Sequence, residues 1–60
     1  MDIDFEKLRS DLEDYFGTAM MSNPMAIINL SDVSRASEEE LIKIAYQNGF
    51  DVNDYIVKKI

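Results

Sequence analysis

Residues 37–50 read SEEELIKIAYQNGF and carry the signals for both ends of a helix. Ser37 and Glu40 stand at the two positions of a capping box, in which each side chain satisfies a backbone N–H group at the start of a helix. Gly49 follows the last turn of the pattern and suits the left-handed conformation that commonly ends a helix. This stretch therefore predicts a helix over residues 38 to 48.

Two earlier segments have the spacing of amphipathic helices. Asp4 can cap the first of them, and Pro24 suits the first turn of the second because proline lacks the N–H group that a helix interior needs. The predicted helices cover residues 5 to 21 and 24 to 35. The apolar residues of the first recur every three or four positions, as expected for one buried face: Phe5, Leu8, Leu12, Tyr15, Phe16, Ala19 and Met20.

A short fourth helix is predicted over residues 54 to 59, with Asp51 or Asn53 as its cap. No segment alternates apolar and polar residues for long enough to predict a strand. The sequence therefore predicts an all-α fold, a compact orthogonal or up-down bundle of three to four helices in a single helical domain over residues 1–60. Its expected core consists of Leu8, Leu12, Phe16, Ile27, Leu30, Leu41, Ile44, Ala45 and Phe50.

The chain contains neither Cys nor His. These residues supply many metal ligands and most activated nucleophile–base pairs, so the composition predicts no metal site, no cofactor and no catalytic residue. Carboxylates cluster at residues 2–4, 13–14 and 38–40, where they are typical of helix first turns and solvated helix faces. We expect a protein that is not an enzyme.

The chain is acidic, with twelve Asp and Glu against six Lys and Arg and a net charge of −6. This charge repels phosphate backbones and anionic lipid surfaces, which argues against nucleic acid as a partner. The longest near-apolar stretch, residues 25–30, is far shorter than the roughly 20 residues of a membrane-spanning helix. The acidic start has none of the features of a secretory signal, so the expected location is the cytoplasm.

Apolar residues outside the predicted core mark a candidate interface. Met25 and Ile28 point away from the main apolar face of the second helix. That face consists of Ala26, Ile27, Leu30 and Val33. Adaptable Met side chains and amphipathic Tyr rings suit partner binding, and the candidate interface comprises Tyr15, Met20, Met21, Met25, Ile28 and Tyr46. The expected function is a non-enzymatic interaction module that binds another protein or a second copy of itself, unless the last helix covers Met25 and Ile28 within one monomer.

Two alternative functions stay open at this point. An acidic domain can mimic nucleic acid and occupy a basic binding surface. A leader or carrier peptide is the other alternative, since residues 41–52 resemble the helix, Gly-Phe pair and turn of nitrogen-fixation-type leader peptides of ribosomally made natural products. The same residues resemble the Gly-Phe loop of ubiquitin-associated domains. The leader resemblance implies a double-Gly cleavage site, which this chain lacks.

Overall fold

The structure is a computed structural model that describes residues 2–57. Three α-helices form the body of the domain, and the predicted all-α fold is confirmed. A strand of two residues lies before the first helix, and a 3-10 helix and a second short strand follow the third. The elements are β1 (Asp2–Ile3), α1 (Phe5–Ala19), α2 (Ala26–Arg35), α3 (Glu38–Gln47), the 3-10 helix (Val52–Tyr55) and β2 (Ile56–Val57).

Side-chain caps start α1 and α3 where the sequence predicts them. The Asp4 carboxylate accepts a hydrogen bond from the backbone N–H of Lys7 at 3.1 Å. The Ser37 hydroxyl oxygen accepts from the backbone N–H of Glu40 at 3.3 Å, and the hydroxyl donates to the Glu40 carboxylate at 3.3 Å. One half of the predicted capping box is therefore formed, because the Glu40 side chain bonds to the hydroxyl group of Ser37 and not to its backbone N–H.

The end of α3 has the predicted glycine geometry. Gly49 adopts a φ of +78°. Its N–H donates to the Tyr46 carbonyl at 3.2 Å, and the N–H of Phe50 donates to the Ala45 carbonyl at 2.8 Å. These two bonds form a Schellman motif, which satisfies carbonyl groups that the end of a helix leaves open. The motif turns the chain so that Phe50 packs against the core.

We expect Gly49→Ala to lower the free energy of unfolding by about 1 kcal/mol, because an L side chain is strained at positive φ. An added methyl group would meet no atom within 4 Å, so the cost is conformational. Gly17→Ala is the matched control, since Gly17 lies inside α1 with equally open surroundings. It should raise stability by roughly 0.5–1 kcal/mol. Urea denaturation of both variants checks the opposite signs, and equal signs would contradict the assigned end of α3.

The connection between α1 and α2 differs from the prediction by about two residues on each side. Helix α1 ends at Ala19, and α2 begins at Ala26. The difference arises from the backbone hydrogen bonds of residues 23–28. Here each carbonyl of residues 23–25 accepts from the N–H group three residues later, as in a 3-10 turn. Pro24 lies within this tight turn, before the regular α-helix begins.

Helices α1 and α2 run antiparallel as a hairpin. The tight turn joins the end of α1 to the start of α2, and the end of α2 returns to the middle of α1. There the Ser34 hydroxyl donates to the Glu13 carboxylate at 2.8 Å, and the Arg9 guanidinium donates to the Ala36 carbonyl at 2.7 Å. The core between the elements is built from Leu8, Leu12, Phe16, Val33, Ala36, Leu41, Ala45 and Val52.

The expected inclusion of Ile27 in the core is wrong, because its side chain is about half exposed. Helix α2 buries Ala26 and Val33 and partly buries Leu30. At about 100° per residue these three positions fall within a narrow arc, and Ile27 lies about 90° from its centre. Leu30, Ile44 and Phe50, which were also expected in the core, pack against its edge and are partly buried.

The predicted fourth helix is wrong for residues 54 to 57. Val52–Tyr55 form a single 3-10 turn capped by the Asp51 carboxylate, and Ile56–Val57 are extended. β2 pairs antiparallel with β1, placing Ile3 opposite Ile56, and the N–H of Asp4 donates to the Tyr55 carbonyl at 2.7 Å. Residues 58–60 of the predicted helix lie outside the described residues. Ile56–Val57 therefore pair as a strand with the residues just before α1.

Candidate functional site

Four large apolar side chains are exposed where α1 turns into α2. Met21 exposes 89% of its surface, Met25 64%, Ile28 53% and Ile27 48%. All four lie within residues 21–28, in the turn of the hairpin and the first turn of α2. We call these four residues the hairpin tip.

The backbone beneath the hairpin tip is held by local hydrogen bonds. The N–H groups of Met21 and Ser22 donate to carbonyls of the last turn of α1, at 3.2 and 3.1 Å. The side-chain oxygen of Asn23 accepts from the N–H of Met25 at 3.2 Å, which makes an Asx turn ahead of α2. Because these backbone groups are paired, the turn presents its apolar side chains from a defined conformation.

The hairpin tip lies in the longest uncharged part of the chain. Residues 15–31 contain no Asp, Glu, Lys or Arg, and all eighteen charged residues of the chain lie before or after them. Asp14 and Asp32 bound this run, so the nearest charges in sequence are both negative. This uncharged run could have been found in the sequence by counting charged residues. It marks the hairpin tip more clearly than the apolar stretch 25–30 does. It also includes Ile27, which the helical wheel places in the wrong environment.

The other predicted interface residues do not belong to the hairpin tip. Met20 is half-buried, and its N–H donates to the Phe16 carbonyl at 3.0 Å. The ring of Tyr15 makes edge-to-face contacts with Phe16 and Phe50, at centroid distances of 5.1 and 5.4 Å, so it helps to close the core. Tyr46 is exposed on α3, away from the turn between α1 and α2. Of the six predicted interface residues, Met21, Met25 and Ile28 thus belong to the hairpin tip, and Tyr15, Met20 and Tyr46 do not.

A polar cluster links the 3-10 helix to α1. Its members are Lys7, Asp11 and Tyr55. The Tyr55 hydroxyl donates to the Asp11 carboxylate at 2.5 Å, and the Lys7 ammonium lies 3.2 Å from the same oxygen. Lys7 also lies 5.6 Å from the centre of the Tyr55 ring. Sequence reasoning missed this cluster because Asp11 and Tyr55 are 44 residues apart. The role of the cluster is structural, since each of the three side chains contacts the other two.

This cluster shifts two pKa values. Burial, followed by the hydrogen bond to Asp11, raises the pKa of Tyr55 to about 12. The hydrogen bond from Tyr55, followed by that from Lys7, holds the pKa of Asp11 below its usual value. A raised Tyr pKa means that the stabilising bond is fully present below the ordinary Tyr pKa of about 10. Its contribution is lost as the pH rises from about 10 towards 12.

We therefore expect Tyr55→Phe to be less stable than the unchanged protein at pH 8. The difference should shrink as the pH rises through 10 to 12, because the ionised Tyr55 is repelled by Asp11. Urea denaturation at several pH values measures this difference. Tyr46→Phe is the control, because the Tyr46 hydroxyl makes no hydrogen bond in the described residues. A stability difference for Tyr55→Phe that does not change with pH would contradict the assigned bond.

A groove of about 330 Å³ lies on the other side of α1 and is lined by Phe5, Glu6, Arg9, Glu13 and Glu38. The Arg9 guanidinium donates to the Ala36 carbonyl, and the Glu13 carboxylate accepts from the Ser34 hydroxyl. Within residues 2–57 no group of three or more Asp or Glu side chains is arranged to hold a metal ion. Two of the residues that line the groove, Arg9 and Glu13, thus hold the end of α2 to α1.

Comparisons with protein-family models, curated proteins and solved structures give no match to this chain. Among the described residues, none of the helices has both the length and the apolar character required to cross a membrane. The hairpin tip is thus characterised by its own chemistry: exposed apolar side chains on an ordered turn, in a charge-free part of an acidic chain.

Proposed function

We propose that this chain is a non-enzymatic interaction module that binds a protein surface through the hairpin tip. The observation that carries the proposal is the exposure of Met21, Met25, Ile27 and Ile28 together, within a run of 17 residues that bears no charge. Single exposed apolar residues are common on protein surfaces, and four large ones within eight consecutive residues favour a binding site over isolated exposure.

The chemistry of the hairpin tip favours association by burial of apolar surface. Fully burying one such side chain contributes about 1.5–3 kcal/mol, and these four are already partly buried. Association also costs several kcal/mol in lost translational and rotational freedom. A partner must therefore bury most of the hairpin tip to bind with useful affinity. Two of the four side chains are Met, whose flexible thioethers fit irregular apolar surfaces.

The proposal of a non-enzymatic role rests on the residues available. The chain has no Cys and no His, and its Ser side chains have no neutral base of the usual kind beside them. The carboxylate with a lowered pKa, Asp11, is held by Tyr55 and Lys7. We propose a cytoplasmic setting, because small secreted domains generally depend on disulfides and this chain has no Cys.

The acidic mimic is a weaker proposal, for a reason that concerns the carboxylates themselves. A mimic of nucleic acid needs carboxylates that are free to meet basic side chains. Here Asp4 accepts from the Lys7 backbone, Asp11 accepts from Tyr55 and Lys7, and Glu13 accepts from Ser34. The leader or carrier alternative is supported only by the resemblance of residues 41–52, and a helix that ends in a Gly cap followed by an aromatic residue is common to many helical domains.

Methionine oxidation tests the proposed binding surface. In the purified protein at low concentration, dilute peroxide should oxidise the exposed Met21 faster than the half-buried Met20. In living cells that make the protein, we expect oxidation of Met21 and Met25 to slow relative to Met20, because a bound protein covers the hairpin tip. Peptide mass spectrometry gives all three rates. Identical relative rates in cells and in dilute solution would contradict the proposal.

A further inference from the structure

We infer that Asn48 is a site of spontaneous deamidation, which the fold protects for as long as the end of α3 stays closed. Asn48 is followed directly by Gly49. In such a pair the backbone nitrogen of the glycine attacks the side-chain amide carbon of the asparagine, because glycine has no side chain to obstruct the attack. A new C–N bond forms, and ammonia leaves with the proton of the glycine N–H. Water then opens the resulting five-membered succinimide to aspartate or isoaspartate.

The residue after each asparagine distinguishes Asn48 from the other three asparagines of the chain. Asn23 precedes proline, whose nitrogen has no proton to lose. Asn29 precedes leucine and Asn53 precedes aspartate, and both following side chains obstruct the attacking nitrogen. Asn48 is therefore the asparagine at which the unfolded chain closes the ring most readily.

In the folded protein a hydrogen bond holds the Asn48 side chain. Its amide nitrogen donates to the Ile44 carbonyl at 2.8 Å, and the residue is half-buried. This bond keeps the side-chain amide against the last turn of α3. The side chain must leave this position before its amide carbon meets the Gly49 nitrogen.

The backbone after Asn48 is also set against ring closure. Asn48 has a ψ of 12°, which places the Gly49 nitrogen nearly in line with the backbone nitrogen of Asn48. The succinimide ring requires the Gly49 nitrogen to lie in line with Cβ of Asn48, so the peptide between the two residues must rotate. That rotation breaks the Schellman bonds from Gly49 to the Tyr46 carbonyl at 3.2 Å and from Phe50 to the Ala45 carbonyl at 2.8 Å.

Ring closure therefore requires the end of α3 to open. Opening also removes Phe50 from its place against the core. Parts of a protein open locally with free energies between zero and that of complete unfolding. The rate of deamidation in the folded protein then equals the rate in the open chain multiplied by the fraction of molecules that are open.

The products of deamidation oppose the return to the closed state. Each replaces the amide by a carboxylate, which cannot donate to the Ile44 carbonyl and is unfavourable at the negative end of a helix. Isoaspartate also adds a methylene group to the main chain, which moves Gly49 and Phe50 out of the Schellman motif. Deamidation thus marks molecules in which the end of α3 has opened, and it hinders their reclosing.

Peptide mass spectrometry of the full chain tests the inference in one mildly alkaline buffer, with and without guanidinium chloride. It measures the gain in mass at Asn48, and circular dichroism shows which sample is folded. We expect conversion to be at least about tenfold slower in the folded protein, which corresponds to an opening free energy of about 1.4 kcal/mol. Asn48→Gln is the control and should gain almost no mass in either state, because glutamine would have to close a larger ring.

Phe50→Ala tests the part played by the closed end of α3. The substitution leaves the Asn-Gly pair intact and removes the aromatic ring that packs after it. Without denaturant, Asn48 should convert faster in this variant than in the unchanged protein, whether only the helix end or the whole domain opens. An unchanged rate would overturn the inference. Equal rates in the folded and unfolded chains would overturn it too, and so would the absence of conversion at Asn48 in the unfolded chain.

Discussion

Replacing Leu12 by alanine is expected to lower the free energy of unfolding by about 2 to 5 kcal/mol. Leu12 is completely buried in α1, in the same cluster as Leu8 and Leu41. The substitution removes apolar contacts and leaves a cavity that the surrounding helices fill only partly. At roughly 0.05 to 0.15 kcal/mol per residue, a 60-residue domain has about 3 to 9 kcal/mol of stability in total, so this loss is a large share of it. The variant should therefore be largely or completely unfolded at 37 °C.

Thermal denaturation followed by circular dichroism measures this loss. Leu30→Ala is the control, because Leu30 is also a helical leucine but packs at the edge of the core and is only partly buried. Its substitution should cost clearly less than that of Leu12. If the two variants were equally stable, the assignment of Leu12 to the centre of the core would be wrong.

The second large effect is expected for Val33→Asp. Val33 is fully buried in α2 and is surrounded by apolar members of the core cluster. A carboxylate at this position would lose its hydration without gaining a partner, and the cost of burying an unpaired charge exceeds the stability of a domain this small. We expect the variant to lose its helical circular dichroism signal at pH 7.

Ile27→Asp provides the matched comparison on the same helix. The sequence predicts Ile27 as a core residue, but its side chain is about half exposed, and it is the second residue of α2, where a carboxylate is favourable. This variant should keep the helical signal of the unchanged protein. Unfolding by Ile27→Asp together with tolerance of Val33→Asp would mean that α2 presents a different face to α1.

The two boundaries of α3 could be predicted from local signals in the sequence. The cap at Ser37 and the left-handed Gly49 define α3, because each acts through hydrogen bonds to residues only three or four positions away. The chain end could not be predicted in this way. Asp51 does act as a cap, but Ile56 and Val57 form a strand because they pair with residues 2–3. A strand of two residues is too short to show a periodic pattern, and its partner lies at the other end of the sequence.

The candidate site could likewise be predicted only where the position of a residue on its own helix decides its exposure. Met25 and Ile28 were expected to be exposed because they lie opposite the buried stripe of α2, and the structure places both side chains in solvent. Ile27 was misassigned because the predicted apolar face of α2 covered too wide an angle around the helix. The face that packs against α1 covers only a narrow arc and leaves Ile27 outside it. Tyr15 could not be assigned, since its contact with Phe50 depends on how the chain turns after α3.

The pairing of β1 with β2 has a consequence for the order in which the molecule assembles. Asp2 lies opposite Val57, so this pair closes a loop of nearly the whole described chain. Closing so long a loop costs conformational entropy before any contact repays it, whereas the hairpin of α1 and α2 joins neighbouring segments. The helical hairpin is therefore suited to nucleate folding. The two strands can meet only after the helices have brought their ends together, and they act as the final closure of the chain.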